Sequence, residues 1–469
     1  QACHPRGIIV IPLSAYPSVA TLTVNSRTTY AVNCWTLCVS SNTMYQMVDR
    51  IYIGNIPEVG ALGLTAVGLT APITTIILAV STLFAFGSAS TISIRLGEEK
   101  KEEAERAAGN AITYTFTASM IITVLFFFFK PQIFEALKIT GQSAPYASNY
   151  IDTIVFGTVF NMFSFVIPIL IRSDGSPIFS MITTLVGSIL NIILGAVLIF
   201  GLDMGIQGAA ISTVISQAVP TLLGVLYFWK GKPTLHISAK TLRPNIGILK
   251  SIIKIGIVPC SNQLSVSIAQ VVGNHSLMIY GGEAYIGAMT AIRSVFQIFM
   301  MGVYGVGQGF QPIVGYNYAK KNYRRAFATL KLSVIWNIGI LTLGIILAQL
   351  FPHSLISLFI KDASLSAIAA DGLRKFTILL PLSLFVSVVS GFMMMTGKEK
   401  TAICLNISYQ ILISAATIYF LPLIIGIDGL WYSQPLTDVI TVVLTTILFV
   451  RGYGSIIKQI RKNGNPPGV

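Results

Sequence analysis

The stretch MITTLVGSILNIILGAVLIF, residues 181–200, carries no charged side chain over its whole length. A helix of about 20 apolar residues crosses the hydrocarbon core of a bilayer, so this run is typical of a transmembrane helix. The rest of the chain is similar, since 54% of its 469 residues are hydrophobic and 10% are charged, whereas a soluble protein carries about 25% charged residues. A membrane β-barrel would show alternation over segments of about ten residues instead. The sequence therefore predicts an all-α membrane protein with a single transmembrane domain.

Comparable apolar runs recur along the whole chain and predict about twelve transmembrane helices. The predicted spans are 28–53, 66–96, 110–129, 146–172, 177–200, 207–229, 249–280, 285–318, 327–350, 370–396, 400–424 and 429–450.

The formal net charge of +14 raises the question of nucleic-acid binding. The basic residues follow the predicted topology, however, because 22 Lys and Arg lie on one side of the membrane and 6 on the other. Cytoplasmic loops are enriched in Lys and Arg, so the first side is predicted to be cytoplasmic. That side includes the segment 230–250 and the C-terminal tail. We therefore expect an integral protein of the cell membrane that contacts the lipid bilayer and binds no nucleic acid.

Short motifs recur at a nearly constant distance, which indicates an internal repeat. RSDGSP at 172–177 corresponds to MMTGKE at 394–399 at an offset of 222 residues, and TAVG at 65–68 corresponds to GAMT at 287–290 at the same offset. Each half contains an even number of predicted spans, so both halves enter the membrane in the same direction. Such parallel repeats are related by an axis along the membrane normal. The prediction is two six-helix bundles related by a pseudo-two-fold axis in that direction.

This organisation divides the chain into two bundles, the segments at either end and one link. Two similar bundles around a central cleft are the arrangement of many secondary transporters. The predicted parts are an unassigned N-terminal segment at 1–27, a first lobe with helices 1–6 at 28–229, a cytoplasmic linker at 230–250, a second lobe with helices 7–12 at 251–450 and a cytoplasmic tail at 451–469.

An acidic residue interrupts the first predicted span. In NTMYQMVDRIYIG, residues 42–54, Asp49 follows Asn42, Tyr45 and Gln46 at helical spacings that place all four side chains on one face. Acids inside membrane spans are costly and usually belong to an ion or proton path. The alternative is a helix-end acid that is paired with Arg50 or capped by hydroxyls. We interpret this face as part of a cation site and of the substrate cleft.

Other polar residues within the spans are candidates for the substrate cleft. Asp438 is a second acid in a span, although Thr437 and Gln434 are close enough in sequence to satisfy it. Gln263 adds polarity to the seventh helix. Arg293 is a cation in the eighth helix, which has no acid within the predicted span. It either snorkels to the membrane surface or binds an anionic group or an acid across the cleft.

No cofactor or metal site is expected from the sequence. The four His residues are scattered without the spacing of metal ligands. Cys34 and Cys38 lie four apart, so a metal pair there is an open alternative, but small apolar helix residues are the simpler interpretation. No nucleophile, phosphate-loop or dinucleotide motif is present. We therefore do not expect an enzyme.

Several motifs together resemble the multidrug and toxic compound extrusion (MATE) family over roughly residues 42–450. They are VDRIYIG at 48–54, TAVGLTAPI at 65–73, GQGFQPIVGYNYAKKNYRRA at 307–326 and GIDGLWYSQPLTD at 426–438. The resemblance implies a secondary antiporter that exports organic cations or amphiphilic drugs in exchange for H⁺ or Na⁺. We expect a monomer. A flippase for a polar or lipid-linked substrate is the alternative function, because related folds perform that work.

The resemblance also implies a cation or proton-coupling site in the first lobe. Asp49, Asn191 and Thr213 match three of the family's positions. The family's second acid, expected four residues after Asn191, is Gly195 in this chain. With one carboxylate in place of two, H⁺ coupling is favoured over Na⁺, because Na⁺ prefers several hard oxygen ligands and anionic ones among them.

Overall fold

The structure is a computed structural model that describes residues 44–231, 233–319 and 321–462. The predicted site residue Asn42, the Cys34–Cys38 pair and the segment 1–27 lie outside the described residues. Within them the secondary structure is helical without a strand. The prediction of an all-α fold is therefore confirmed.

Sixteen helices follow one another in the described residues, and helix α1 comprises residues 44–54. The others are α2 Gly60–Gly97, α3 Lys101–Ala136, α4 Ala144–Phe156, α5 Thr158–Ser173, α6 Pro177–Ala196, α7 Gly205–Lys230, α8 Ile246–Gly281, α9 Glu283–Ala319, α10 Tyr323–Leu350, α11 Pro352–Ser357, α12 Ala363–Thr377, α13 Leu384–Met395, α14 Glu399–Ile407, α15 Ala415–Ile425 and α16 Asp428–Lys462.

These helices provide the predicted membrane spans. Among the described residues, 9 helices are long and apolar enough to cross a membrane, and the number rises to 11 when two bent pairs are each taken as one span. The pairs are α4 with α5, bent by 53°, and α12 with α13, bent by 59°. With α1 as the described part of the first span, this agrees with the predicted twelve-helix arrangement.

Several helices extend beyond the predicted spans. Helix α3 begins at Lys101, before the predicted start at 110, because the charged segment on the side predicted to be cytoplasmic continues the same helix. Helix α16 continues to Lys462 for the same reason, so the predicted tail begins as helix. Span prediction follows hydrophobicity, whereas a helix ends where its backbone hydrogen bonding ends.

The internal repeat is visible in the backbone. Residues with positive φ recur at the sequence offset: Glu99 at 62° and Lys321 at 60° follow α2 and α9. Two glycine pairs repeat as well, and few residues other than glycine adopt this left-handed region without strain. The pairs are Gly175 at 96° with Gly397 at 80°, and Gly205 at 54° with Gly426 at 65°. The two halves therefore share turns and bends, and the two-bundle prediction is confirmed.

The bundles meet where equivalent helices of the two repeats cross. A Cβ on Gly68 of α2 would lie 2.2 Å from Oγ1 of Thr290 in α9, and a Cβ on Gly287 of α9 would lie 2.7 Å from Oγ1 of Thr65 in α2. The contact is reciprocal, as expected beside a two-fold axis. Small residues on both helices thus permit the close approach.

Hydrogen bonds join the bundles at the end that is predicted to be extracellular. Asn55 donates to the carbonyl oxygen of Leu358 at 2.9 Å, and Thr65 donates to that of Glu283 at 3.2 Å. The Glu283 carboxylate accepts from the backbone N–H of Ser143 at 3.1 Å. The bundles are therefore in direct contact at this end.

The linker between the bundles is docked onto the first bundle. Asn110 of α3 donates to the carbonyl oxygens of Thr241 and Arg243, both at 3.1 Å, and accepts from the N–H of Asn245 at 2.7 Å. Asp174 accepts from the N–H of Leu235 at 2.7 Å. The polar composition of this segment predicted a link, and the structure shows that its backbone is held in place.

Candidate coupling and substrate sites

Asp49 lies on α1 inside the first bundle, where it is 8% exposed. Its Oδ1 atom is buried and has no hydrogen-bond partner among the described residues. Its carboxyl group is close enough for electrostatic interaction with three neighbouring side chains, Tyr45, Arg50 and Tyr150. An acid with an unpaired, buried oxygen is able to bind a proton or a cation.

Arg50 follows Asp49 in the chain but reaches the second bundle. Its Nη1 donates to the hydroxyl of Ser294 in α9 at 3.0 Å. The Ser294 hydroxyl in turn donates to the carbonyl oxygen of Thr290 at 2.7 Å. Asp49 therefore sits one residue away from a hydrogen bond that joins the two bundles, a contact that the sequence analysis did not predict.

Asn191 and Thr213 are brought together beside α1. The Asn191 amide donates to the Thr213 hydroxyl at 3.3 Å, and both side chains are buried. They line a small cavity of about 30 Å³ together with Tyr45, which is one helical turn before Asp49. The cavity thus brings these two residues to the turn of α1 that precedes the acid, and Asp49 itself is not among the described residues that line it.

Gln217 belongs to this first-bundle cavity and was missed by the sequence analysis. It lines the cavity together with Tyr45, and its Oε1 atom is buried without a hydrogen-bond partner among the described residues. The signal was present, because Gln217 follows Thr213 by four residues and so shares its helix face. Gln46, which was predicted to belong to the substrate cleft, is exposed in the structure.

Gly195 faces α1 but does not face open space. A Cβ at this position would lie 3.1 Å from Cδ2 of Tyr52 and 3.8 Å from the hydroxyl oxygen of Ser212. Tyr52 is three residues after Asp49, and its ring also contacts Phe200 edge-on at 5.8 Å between centroids. The aromatic ring of Tyr52 therefore lies where the side chain of an acid at 195 would begin.

A second cavity, of about 260 Å³, lies within the second bundle and is lined by residues of α8, α9, α12, α15 and α16 and of the segment between α14 and α15. Arg293 lines this second-bundle cavity together with Gln270 of α8. Gln263 is not part of the described lining; Gln270, two helical turns further along, is the glutamine of α8 that lines the cavity.

Asp438 lies behind the second-bundle cavity and is 2% exposed. Its Oδ2 accepts from the Ser383 hydroxyl at 2.6 Å, and its Oδ1 accepts from the Gln434 amide at 2.9 Å. Gln434 also donates to the Tyr409 hydroxyl at 3.0 Å. Both oxygens of Asp438 are therefore satisfied within the protein, unlike those of Asp49.

Two bundles of membrane-spanning helices related by an internal repeat, each with a cavity lined in part by polar side chains, define a membrane transporter. The family model MatE matches residues 36–197 and 260–422, which is more than half of the chain. The protein belongs to the MATE family of transporters and is not an enzyme.

The comparisons also include individual relatives. The chain is 27% identical over 407 residues to the multidrug export protein MepA of Staphylococcus haemolyticus, covering 87% of this chain and 89% of the relative. It is 31% identical to the MATE multidrug transporter DinF-BH, solved in complex with R6G, with a TM-score of 0.75 and coverage of 92% of this chain and 96% of that one.

One further solved structure agrees in fold. An inward-facing multidrug resistance MATE transporter of the MOP superfamily has a TM-score of 0.83, with 22% identity and coverage of 89% of this chain and 95% of that one. At that level of identity the likeness concerns the fold alone.

Proposed function

We propose that this protein is a secondary antiporter that exports organic cations or amphiphilic drugs in exchange for H⁺. It acts as a monomer in the cell membrane, with the lobes 28–229 and 251–450 exposing the cleft alternately to the two sides. The relatives that carry the names multidrug export protein and MATE multidrug transporter support drug-like substrates.

The buried carboxyl group of Asp49 is the observation that carries this proposal. One of its oxygens has no partner among the described residues, although the side chain is almost fully enclosed. A charged acid in such a place is costly, so it takes up a proton or a cation. Asn191 and Thr213 would contribute neutral oxygen atoms in the first-bundle cavity, which they line together with Tyr45, one helical turn before the acid.

Arg50 supplies a route from this acid to the movement of the lobes. It is adjacent to Asp49 and bonded to Ser294 of the other bundle. A change of charge at Asp49 alters the electrostatic interaction with Arg50 and so favours or disfavours that bond between the bundles. This would link protonation to alternating access.

Protons are favoured over Na⁺ as the coupling ion because the described lining of the first-bundle cavity adds no carboxylate to that of Asp49. Its described lining consists of neutral side chains. A Na⁺ site is more effective with anionic oxygen ligands, whereas proton exchange needs one titrating group.

A flippase for a polar or lipid-linked substrate is the alternative function. A cleft for anionic lipid-linked groups would require several cations, whereas the described lining of the second-bundle cavity includes Arg293 as its one basic residue. Drug export is therefore the better supported proposal.

The test is uptake of a fluorescent organic cation, rhodamine 6G, into lipid vesicles. These contain the purified protein with its predicted cytoplasmic side facing outwards. A pH gradient without Na⁺ should drive uptake, and a Na⁺ gradient at equal pH should not. Uptake driven by Na⁺ alone would overturn the choice of ion. An absence of dye accumulation under either gradient would overturn drug export for this class of dye.

A further inference from the structure

The second-bundle cavity is amphiphilic. Its apolar wall is formed by Phe296, Met300, Phe376 and Ile418, and its polar wall includes Arg293 and several amide and hydroxyl groups. A volume of about 260 Å³ accommodates part of a drug-sized molecule. The first-bundle cavity, at about 30 Å³, is much smaller. The two cavities therefore differ in what they are able to hold.

Arg293 is the one charged residue in the described lining of this cavity, and none of the described lining residues is acidic. None of the ion pairs in the described part of the chain involves it. Asp438 lies behind the wall, but both of its oxygens are used by Ser383 and Gln434. The guanidinium group lies over the bare backbone of Gly273, where a Cβ would be 3.3 Å from Nη2.

A second cation increases the positive charge in this region. Arg50 is close enough to Arg293 for the two charges to repel each other. Arg50 is hydrogen bonded to Ser294, the residue next to Arg293. An unpaired cation within the membrane is costly unless an anion accompanies it. Two neighbouring cations therefore make this a favourable place for a negative group.

We propose that the second-bundle cavity binds the anionic group of zwitterionic or anionic amphiphiles, a carboxylate, sulfonate or phosphate, through Arg293. The planar guanidinium group matches such oxyanions with two parallel hydrogen bonds. The apolar body of the ligand lies against Phe296 and Phe376. This inference rests on the proposed function as an exporter of amphiphilic compounds and extends its substrates beyond simple cations.

Binding of two matched dyes to the purified full-length protein in neutral detergent tests this site without transport. Rhodamine 19 and its ethyl ester, rhodamine 6G, share one cationic dye body and differ only in the free carboxylate of rhodamine 19. Fluorescence anisotropy gives the Kd of each. Wild-type protein should bind rhodamine 19 more tightly by about tenfold or more, the usual gain from a hydrogen-bonded charge pair.

Arg293→Gln should remove this preference, so that the ratio of the two Kd values falls to about one. Arg293→Lys, which keeps the charge but not the planar fork, should retain part of it. Arg106→Gln is the control, because Arg106 is paired with Glu102 outside the membrane. Equal affinity of the two dyes for the wild type would overturn the proposal even if Arg293→Gln failed to fold. An equal loss of both dyes in a folded Arg293→Gln protein would also overturn it.

The anionic group has two possible sources, a solute or a lipid headgroup. If anionic lipid headgroups bind to Arg293, phosphatidylglycerol added to the micelles should displace rhodamine 19 from the wild-type protein. Phosphatidylcholine should not displace it. If neither lipid displaces the dye, the site serves solutes. Binding and transport also separate the two proposals, because a preference for rhodamine 19 without gradient-driven dye uptake would reject drug export and keep the anion site.

Discussion

At the scale of single residues, the two acids within the membrane spans are in opposite situations. Asp49 has a buried oxygen without a partner among the described residues, whereas Asp438 has both oxygens hydrogen bonded inside the second bundle. A satisfied buried acid has a structural role, and an unsatisfied one is able to take part in ion coupling. Their substitution should therefore have different consequences.

Asp49→Asn should reduce gradient-driven substrate uptake to the level of passive leak, with normal expression and folding. Asparagine has nearly the same size but neither titrates nor neutralises a cation. Uptake into vesicles under a pH gradient measures the effect. Asp438→Asn is the matched comparison and should retain most of the activity. Wild-type uptake in the Asp49→Asn variant would assign Asp49 a structural role.

Gly195→Asp tests the position at which the chain departs from its family. The new carboxylate would begin 3.1 Å from the Tyr52 ring, so this ring has to shift by a few tenths of an ångström. A second acid near Asp49 should then create Na⁺ binding, because two neighbouring carboxylates repel and a shared cation relieves the repulsion. We expect a Na⁺-dependent increase in melting temperature.

Gly195→Asn is the control for this increase, since it imposes the same contact with Tyr52 without the charge. If both variants respond to Na⁺ to the same extent, residue 195 does not belong to the site of Asp49.

At the scale of helices, the crossing of α2 and α9 depends on glycine on both sides. Gly68 lies against Thr290 and Gly287 lies against Thr65, both at the end predicted to be extracellular. A larger side chain at either position separates the helices. Because α2 and α9 are equivalent helices of the two repeats, we expect the bundles to close and open about this crossing.

Gly287→Val should shift the protein towards a state that is open at this end, because its Cβ alone would lie 2.7 Å from the Thr65 hydroxyl. Over-packing of this kind costs about 1–3 kcal/mol, enough to change a conformational equilibrium. The separation of the bundles is measured by electron paramagnetic resonance. The spin labels are attached to cysteines placed at the exposed positions Gln142 and Lys361, and the other cysteines are replaced.

The distance distribution between these labels should gain a longer component in Gly287→Val. Gly339→Val on α10 is the control, because a Cβ there meets no atom within 4 Å. A distribution identical to that of wild type would show that the α2–α9 contact does not limit opening.

At the scale of the whole molecule, the orientation in the membrane remains a prediction from the distribution of Lys and Arg. A cysteine at Lys240, an exposed position in the linker, should react with an impermeant thiol reagent only after the cells are broken. A cysteine at Lys361, on the opposite side, should react in intact cells. The reverse pattern of labelling would invert the topology and place the Asn55–Leu358 contact on the cytoplasmic side.

The membrane class, the number of spans and the repeat were predictable from the sequence by itself. A hydrophobic run such as 181–200 is stable in lipid as a transmembrane helix, because a helix satisfies the hydrogen bonding of every backbone polar group within the segment. The motifs that contain Gly175 and Gly397 indicated the repeat because turns need glycine at positions with positive φ, and the structure gives both residues such φ angles. Asp49 was singled out because acids are rare in spans, whereas Asn191 and Thr213 were expected only from the resemblance to the MATE family.

Only the tertiary structure decided which of these polar residues meet and which remain unpaired. Arg50 bonds to Ser294 although 244 positions separate them in the chain, and Tyr52 lies against Gly195 where an acid was expected. Asp438 is satisfied by Ser383 from another helix, whereas Arg293 faces a cavity. Helical periodicity determines the face on which a side chain lies, but the partner on the next helix depends on how the bundles pack.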